Sequence, residues 1–138
     1  MKRPRLKPMS KKRAARMAEV REMRAALVRE AGKCEVCGHQ PSRVKPGGIA
    51  WALACHELLN GPLRQKCLDK AHSLLCVCWL CNSEKLTDKA AWPEARQLAV
   101  ILKRRPEQYD LAAHNRLANP LAPERILQSE VDAWLKTV

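Results

Sequence analysis

Two cysteine pairs, Cys34-Glu35-Val36-Cys37 and Cys78-Trp79-Leu80-Cys81, are the residues whose types and spacing most directly specify chemistry in this chain. Each is a C-x₂-C unit, and forty residues separate them. A C-x₂-C turn lets both sulfurs of a pair reach one ion, and four thiolates complete a closed tetrahedral zinc site. We therefore expect a structural Zn²⁺ held by Cys34, Cys37, Cys78 and Cys81. Two such turns from distant parts of the chain clamp whatever lies between them. The clamped segment includes Trp51-Ala52-Leu53-Ala54-Cys55-His56-Glu57-Leu58, and the second pair runs directly into Asn82-Ser83-Glu84-Lys85. Further chemistry, if present, is expected at these two places.

Cys55, Cys67 and Cys76 remain outside the pairs. Cys76 lies two residues before Cys78 and competes for the metal, but it falls in a stretch that reads as a strand, so the C-x₂-C pair is preferred. An odd cysteine count in metal-ligand spacing, without a signal-peptide pattern, favours a reduced cytoplasmic setting over a disulfide framework. No apolar run approaches the ~20 residues that would span a bilayer, so no membrane association is expected.

The 138 residues carry a net charge of +12, and the excess is concentrated. Residues 1–33 hold twelve Lys/Arg against three Glu. Such clustering predicts a polyanionic partner, most simply DNA, bound through its backbone with an affinity that falls as salt rises. Arg3, Arg5, Lys7, Lys11, Lys12, Arg13 and Arg16 are the expected phosphate contacts. A solvated face that only aids solubility is the plainer reading of the same charges.

The elements that must position these residues are short. Residues 1–9, with Pro4 and Pro8 among basic residues, read as an extended, disordered arm. Ser10 is an N-cap candidate for a basic helix spanning 10–33, with helix formers from Lys11 to Ala31 and Gly32 as the stop. Met17, Val20, Met23 or Arg24, and Leu27 form a thin apolar stripe, so this helix should lean on the domain along one side. Residues 34–90 form the zinc-bound core. There, Ile49 to Cys55 reads as a strand ending at His56 and Glu57, Asn60-Gly61-Pro62 as a turn, Leu63 to Ala71 as a loop or short helix, and Ser73 to Val77 as a second, antiparallel strand. A helix is expected from about Cys81 to Asp88. Residues 91–138 form a C-terminal helical extension with segments at Pro93 to Arg104, Tyr109 to Leu117 and Glu124 to Lys136. The sequence leaves open whether this extension dimerises, docks a protein partner or completes the core. Phe is absent and Tyr occurs once, so the core should be small and aliphatic, with the Trp residues packing in it and around the zinc.

The order strand, loop, strand, helix, with a His at the end of the first strand and a polar residue early in the helix, resembles the ββα-metal (HNH) endonucleases. The resemblance spans roughly Cys34 to Leu86 and is strongest to the zinc-stapled phage type, including the recombination endonuclease VII family. It rests on His56-Glu57-Leu58 followed by Asn60-Gly61-Pro62, on the Leu74-Leu75-Cys76 strand, and on Cys78-x-x-Cys81-Asn82. The basic opening, Leu6-Lys7-Pro8 and Ser10-Lys11-Lys12-Arg13, is also similar to small phage HNH proteins.

The resemblance implies a small α+β fold, a zinc-stapled HNH core flanked by the basic N-terminal helix and C-terminal helices. It further implies a metal-dependent DNA endonuclease that hydrolyses phosphodiester bonds, in recombination or packaging, in the cytoplasm of a host cell. Asn82 would be a ligand of a catalytic Mg²⁺ or Mn²⁺. The family's paired position at the end of the first strand supplies one ligand and one general base. With His56 as ligand, Glu57 becomes the base or water-orienting group, the preferred register. With His56 as base, the ligand would be Cys55, a soft match for a hard cation. The family's central Asn is replaced by His72 or Ser73, and Glu84 lies near an additional acidic position. A non-catalytic zinc module that binds nucleic acid on the same fold is the alternative, because the altered pair is also what a retired active site would contain.

Overall fold

The computed structural model describes residues 4–41 and 52–138. Arg3, Trp51 and the start of the expected first strand lie outside these residues. Helix α1 spans Lys11–Ala31. Ser10 caps it by accepting from the Arg13 N–H at 3.2 Å, and Gly32 ends it at φ 66, a left-handed turn that glycine adopts without a Cβ penalty. Only Val20 and Leu27 on α1 are buried, while Lys11, Lys12, Arg13 and Arg16 are exposed. The helix therefore rests on the domain along a narrow stripe and turns its charge outward.

Strand β1 is Ala54–Glu57 and strand β2 is Leu74–Val77. They pair antiparallel in the register Ala54↔Val77, Cys55↔Cys76, His56↔Leu75 and Glu57↔Leu74. The expected antiparallel pair is present and the first strand ends at His56 and Glu57 as expected, but residues 52 and 53 are not strand. Strand alternation then sorts the side chains. Successive residues on a strand point to opposite faces, so Cys55 and Glu57 share one buried face and His56 takes the other. Between the strands, Gly61–Lys66 and Ala71–Ser73 form two 3₁₀ turns, the first opened by Pro62. After β2 the chain makes a helical turn at residues 79–80 and then a wide π turn over Cys81–Lys85, in place of the longer regular helix expected.

Helix α2 (Glu94–Arg104) starts immediately after Pro93, α3 (Leu111–Ala118) is capped by Asp110, and α4 (Gln128–Leu135) closes the chain. Leu98, Ala99, Val100 and Ile101 of α2 pack in one buried cluster with Leu75, Val77, Cys34, Cys78, Cys81 and Leu86, joined by Val131 of α4. The C-terminal helices thus share the core of the cysteine-bearing segment. Burying Leu98 and Ile101 completely contributes about 1.5–3 kcal/mol each.

Two buried polar networks lock this packing. Arg105, at the end of α2, donates from Nε to Glu35 Oε1 at 2.6 Å and also reaches the carbonyls of Ala71 and Leu74, while Glu35 Oε2 accepts from the Cys76 N–H. This ties the first cysteine turn, β2 and α2 together. At the head of β2, Ser73 Oγ lies 2.8 Å from His72 Nδ1 and 2.7 Å from His114 Nδ1, and His114 Nε2 lies 3.0 Å from Glu94 Oε2. Ser73 and His114 are fully buried, so the relay pins α3 and α2 to the strand.

Candidate metal centre and the adjoining His56–Asn82 pair

The first cysteine turn is built by Gly38, whose N–H bonds the Cys34 carbonyl at 2.8 Å with φ 76, and by the Cys34 N–H bonding the His39 carbonyl at 2.8 Å. The second grows from the end of β2 into the helical turn, where the Asn82 N–H bonds the Cys78 carbonyl at 3.0 Å. The core brings the two turns together: the four Sγ atoms of Cys34, Cys37, Cys78 and Cys81 lie within 4.8 Å of one another. Cys37 and Cys78 are 3.8 Å apart, sulfur to sulfur. A tetrahedral ion with bonds of about 2.3 Å to sulfur sets its ligands about 3.8 Å apart, so this donor set fits a four-thiolate metal site.

Its electrostatics point the same way. Burial opposes ionisation of Cys34, but backbone N–H groups of Cys37, Cys78 and Val36 outweigh it and bring the thiol down to about 7. Burial pushes the thiols of Cys37 and Cys81 up, and the neighbouring sulfurs raise Cys81 further. Four crowded thiols cannot all ionise unaided; a bound cation removes that conflict. Cys76 is turned away, opposite Cys55, and is no member of the cluster.

Beside this centre, the residue after Cys81 meets the outward-facing residue of β1. His56 Nδ1 lies 2.8 Å from Asn82 Oδ1. An amide oxygen only accepts, so Nδ1 carries the proton and Nε2 presents its lone pair. That Nε2 is buried with no hydrogen-bond partner. Burial lowers the basicity of His56 against the support of Asn82, and the charges of Lys89 and Arg64 lower it further against that of Glu57, so the imidazole is held below its ordinary value. An imidazole held at one nitrogen keeps its lone pair at the other, here unpaired but sealed from solvent.

Glu57 does not join this pair. Its carboxylate is buried on the opposite face of β1, 3.0 Å from Arg24 Nη1 and 3.3 Å from Arg64 Nε. Arg24 also donates to the Cys55 carbonyl at 2.8 Å. Burial raises the Glu57 pKa, but the Arg24 hydrogen bond and both arginine charges outweigh it and hold the carboxyl below its ordinary value. A carboxylate committed in this way is a poor base, so the geometry corrects the expected base or water-orienting role of Glu57. Cys55 shares that face and donates toward the Arg24 carbonyl at 3.8 Å, so it does not flank His56 either.

A divalent cation at the His56–Asn82 pair would find one imidazole and one amide oxygen, with no carboxylate beside them. Among the described residues, the cysteine tetrad is the one cluster of three or more metal-type ligands. Glu84 is exposed and lines a hollow with Lys85, Asp88 and Trp92. Trp92 and Trp134 pack against the core as expected, but Trp79, inside the second cysteine turn, is 59% exposed. Sequence reasoning missed this exposure, although its position between two metal-ligand cysteines at a turn was a usable signal. No helix among the described residues is long and apolar enough to cross a membrane. Compared with known families, curated proteins and solved structures, the chain matches none.

Proposed function

We propose that this chain is a zinc-stapled, HNH-type DNA endonuclease in which His56 is the general base and Asn82 its positioning partner. The observation that carries the reading is the 2.8 Å His56–Asn82 contact with the buried, unpartnered Nε2 on the far side of the ring. Zn²⁺ on Cys34, Cys37, Cys78 and Cys81 fits the four-sulfur geometry and would be structural, with no position left for substrate.

Hydrolysis of a phosphodiester needs an activated water on one side of phosphorus and positive charge near the phosphate and leaving oxygen on the other. His56 Nε2 would take the proton from the attacking water, which requires the side chains that bury this nitrogen to move aside when substrate binds. Asn82 holds Nδ1–H and so fixes the tautomer, and its oxygen keeps a second lone pair. With both ring nitrogens of His56 committed, the second lone pair of the Asn82 oxygen is the protein donor that would hold Mg²⁺ or Mn²⁺, which would supply charge at the scissile phosphate. With so few protein ligands, phosphate oxygens of the substrate would have to complete its coordination. Exposed cations on α1 would hold the DNA backbone, and phosphate contacts position a duplex without reading its sequence.

A second reading is a non-catalytic zinc module that binds nucleic acid. It is favoured by the withdrawal of Glu57, which leaves the pair without an acidic ligand.

Cleavage of supercoiled plasmid and of branched DNA with Mg²⁺ or Mn²⁺ tests the choice. Metal-dependent cutting that disappears in His56→Ala and falls about 10²–10⁴-fold in rate in Asn82→Ala supports the endonuclease. A folded, zinc-loaded protein that binds DNA but cuts neither substrate supports the binding module, and cutting that survives in both variants overturns His56 and Asn82 as the active site.

A further inference from the structure

Among the described residues, the exposed large apolar side chains are Leu6, Met9, Trp79, Leu80, Leu121 and Leu127. Trp79 is the aromatic one, and it is 59% exposed beside Leu80 at 38%. Both lie between Cys78 and Cys81, so their backbone is fixed at each end by a cysteine of the metal centre. The Asn82 N–H to Cys78 carbonyl bond and the Ser83 Oγ–H donating to the Trp79 carbonyl at 2.8 Å make this stretch a formed helical turn. Residues three apart on such a turn share a face. Trp79 lies three residues before Asn82, which holds the His56 ring, so the exposed indole belongs to the same turn as the candidate pair.

A chain with no Phe and a single Tyr has few aromatic side chains for its core, and this one is left in solvent at the candidate site. The charge acting on His56 is mixed but has more cations than anions: Lys89 and Arg64 against Glu57, with which Arg64 pairs. The charges of Arg64 and Lys89 reach His56, and the Arg64 side chain is 61% exposed. An exposed aromatic face on a chain of net charge +12, with Lys89 and Arg64 near the adjoining His56, suits a nucleobase with its phosphates, because every base offers a π-face and stacking tolerates any sequence. A paired and stacked base hides that face, so the fit is to an unpaired one.

We propose that Trp79, backed by Leu80, is a stacking platform for an unpaired DNA base next to the His56–Asn82 pair. The proposal rests on the nucleic-acid reading above, but not on cleavage. It gives the site a preference for single-stranded, bulged or branched DNA that backbone contacts from α1 cannot supply. The rigid turn favours the role, because a platform already held in place loses little freedom when a base lands on it.

The test uses the full-length, zinc-loaded chain without added Mg²⁺ or Mn²⁺. Fluorescence anisotropy gives its affinity for a labelled single strand, the matching duplex and that duplex with one bulged base. Trp79→Ala should weaken binding to the single strand and the bulged duplex by about 5- to 100-fold, and to the intact duplex by less than about twofold. Trp79→Phe should recover most of the loss, and the urea midpoint of both variants should match the parent, because the side chain is exposed. Equal affinities of the parent and Trp79→Ala for all three DNAs overturn the proposal. So does an equal loss on all three, or an absence of DNA binding by the parent. Tenfold tighter binding to the matching RNA strand would overturn DNA as the occupant. A dimer abolished by Trp79→Ala with DNA binding unchanged would assign the surface to a second copy of the chain. Because no divalent cation is added, a chain that cuts nothing can still show the stacking loss, and one that cuts through His56 can fail to show it.

Discussion

Replacing Glu57 by Gln separates a structural carboxylate from a catalytic one. In the structure the Glu57 side chain is 8% exposed and accepts from Arg24 Nη1 at 3.0 Å, while Arg24 is 23% exposed and also bonds the Cys55 carbonyl. Removing one partner of a fully buried pair costs about 3–5 kcal/mol, because the other charge is left stranded. The cost here is smaller for two reasons. Arg24 keeps the Cys55 and Leu68 carbonyls as acceptors, and the second pair runs to Arg64, which is 61% exposed and contributes no more than about 1 kcal/mol. Gln keeps the shape and one acceptor oxygen. Glu57→Gln should therefore destabilise the protein by about 1.5–3 kcal/mol, and Glu57→Ala by about 3–4 kcal/mol. With a urea slope of about 2 kcal/mol/M, the Gln variant unfolds about 1 M earlier with the slope unchanged. Arg24→Met should cost a similar amount, and the double variant should cost at least ~1 kcal/mol less than the sum, since either substitution alone already breaks the pair. At a temperature where it remains folded, Glu57→Gln should keep any cleavage activity of the parent within a few-fold. A Glu57→Gln protein that unfolds like the parent but loses cleavage about 10²-fold or more would refute the reasoning and restore Glu57 as the base.

Other perturbations test the metal centre, the buried relay and the basic helix. Chelation of the bound metal, or Cys34→Ser, should abolish cooperative unfolding, and Co²⁺ reconstitution should give the absorption of a tetrahedral four-thiolate site; Cys55→Ser, Cys67→Ser and Cys76→Ser should each still bind one metal per chain by elemental analysis. Burial raises the Glu94 pKa, but hydrogen bonds from His114 and Arg125 outweigh it and hold the group below its ordinary 4.5. A depressed carboxyl contributes stability above its unfolded pKa and loses it as pH falls through the folded one. Glu94→Gln should therefore cost about 1–2 kcal/mol at pH 7, and that cost should shrink as pH falls below the ordinary carboxylate range and through the folded pKa of Glu94, as read from urea midpoints across the acid range. Neutralising Lys11, Lys12, Arg13 and Arg16 together should weaken duplex binding and flatten the plot of log affinity against log salt, by about 0.9 for each phosphate that these side chains neutralise in the parent; a parallel slope would show that α1 does not touch the backbone.

What was legible in the sequence is local. Ser10 and Gly32 mark α1 because a cap and a left-handed stop are properties of single positions, and the two C-x₂-C units mark the metal centre because each pair is a short-range motif. The pairing of β1 with β2 was also readable, but the start of β1 was not, since apolar residues ahead of Ala54 extend the pattern beyond the strand. The long-range contacts left no trace. Arg105 meets Glu35 across 70 positions and Ser73 meets His114 across 41, and no spacing rule predicts either. These are also the contacts that make residues 91–138 part of the core.

The fates of His56 and Glu57 show how a one-residue step decides a site. The two are neighbours in sequence, and each carries a side chain suited to proton transfer. On a strand they must point to opposite faces, and each face is already assigned. The face of Glu57 is covered by α1, whose narrow apolar stripe includes Arg24 just where β1 passes, so the carboxylate neutralises a half-buried guanidinium and fastens the basic helix to the sheet. The face of His56 looks toward the turn that leaves the metal centre, where the first side chain after Cys81 is an amide able to hold one ring nitrogen. A one-residue slip of β1 against β2 would exchange the two environments, placing an unpaired carboxylate at Asn82 and an imidazole against Arg24. The register is held against that slip at the head of β2: the Leu58 N–H bonds the Ser73 carbonyl at 3.0 Å, and Ser73 is itself pinned by His114. The buried relay there therefore acts on the candidate site without touching it, by fixing which of two adjacent residues faces Asn82.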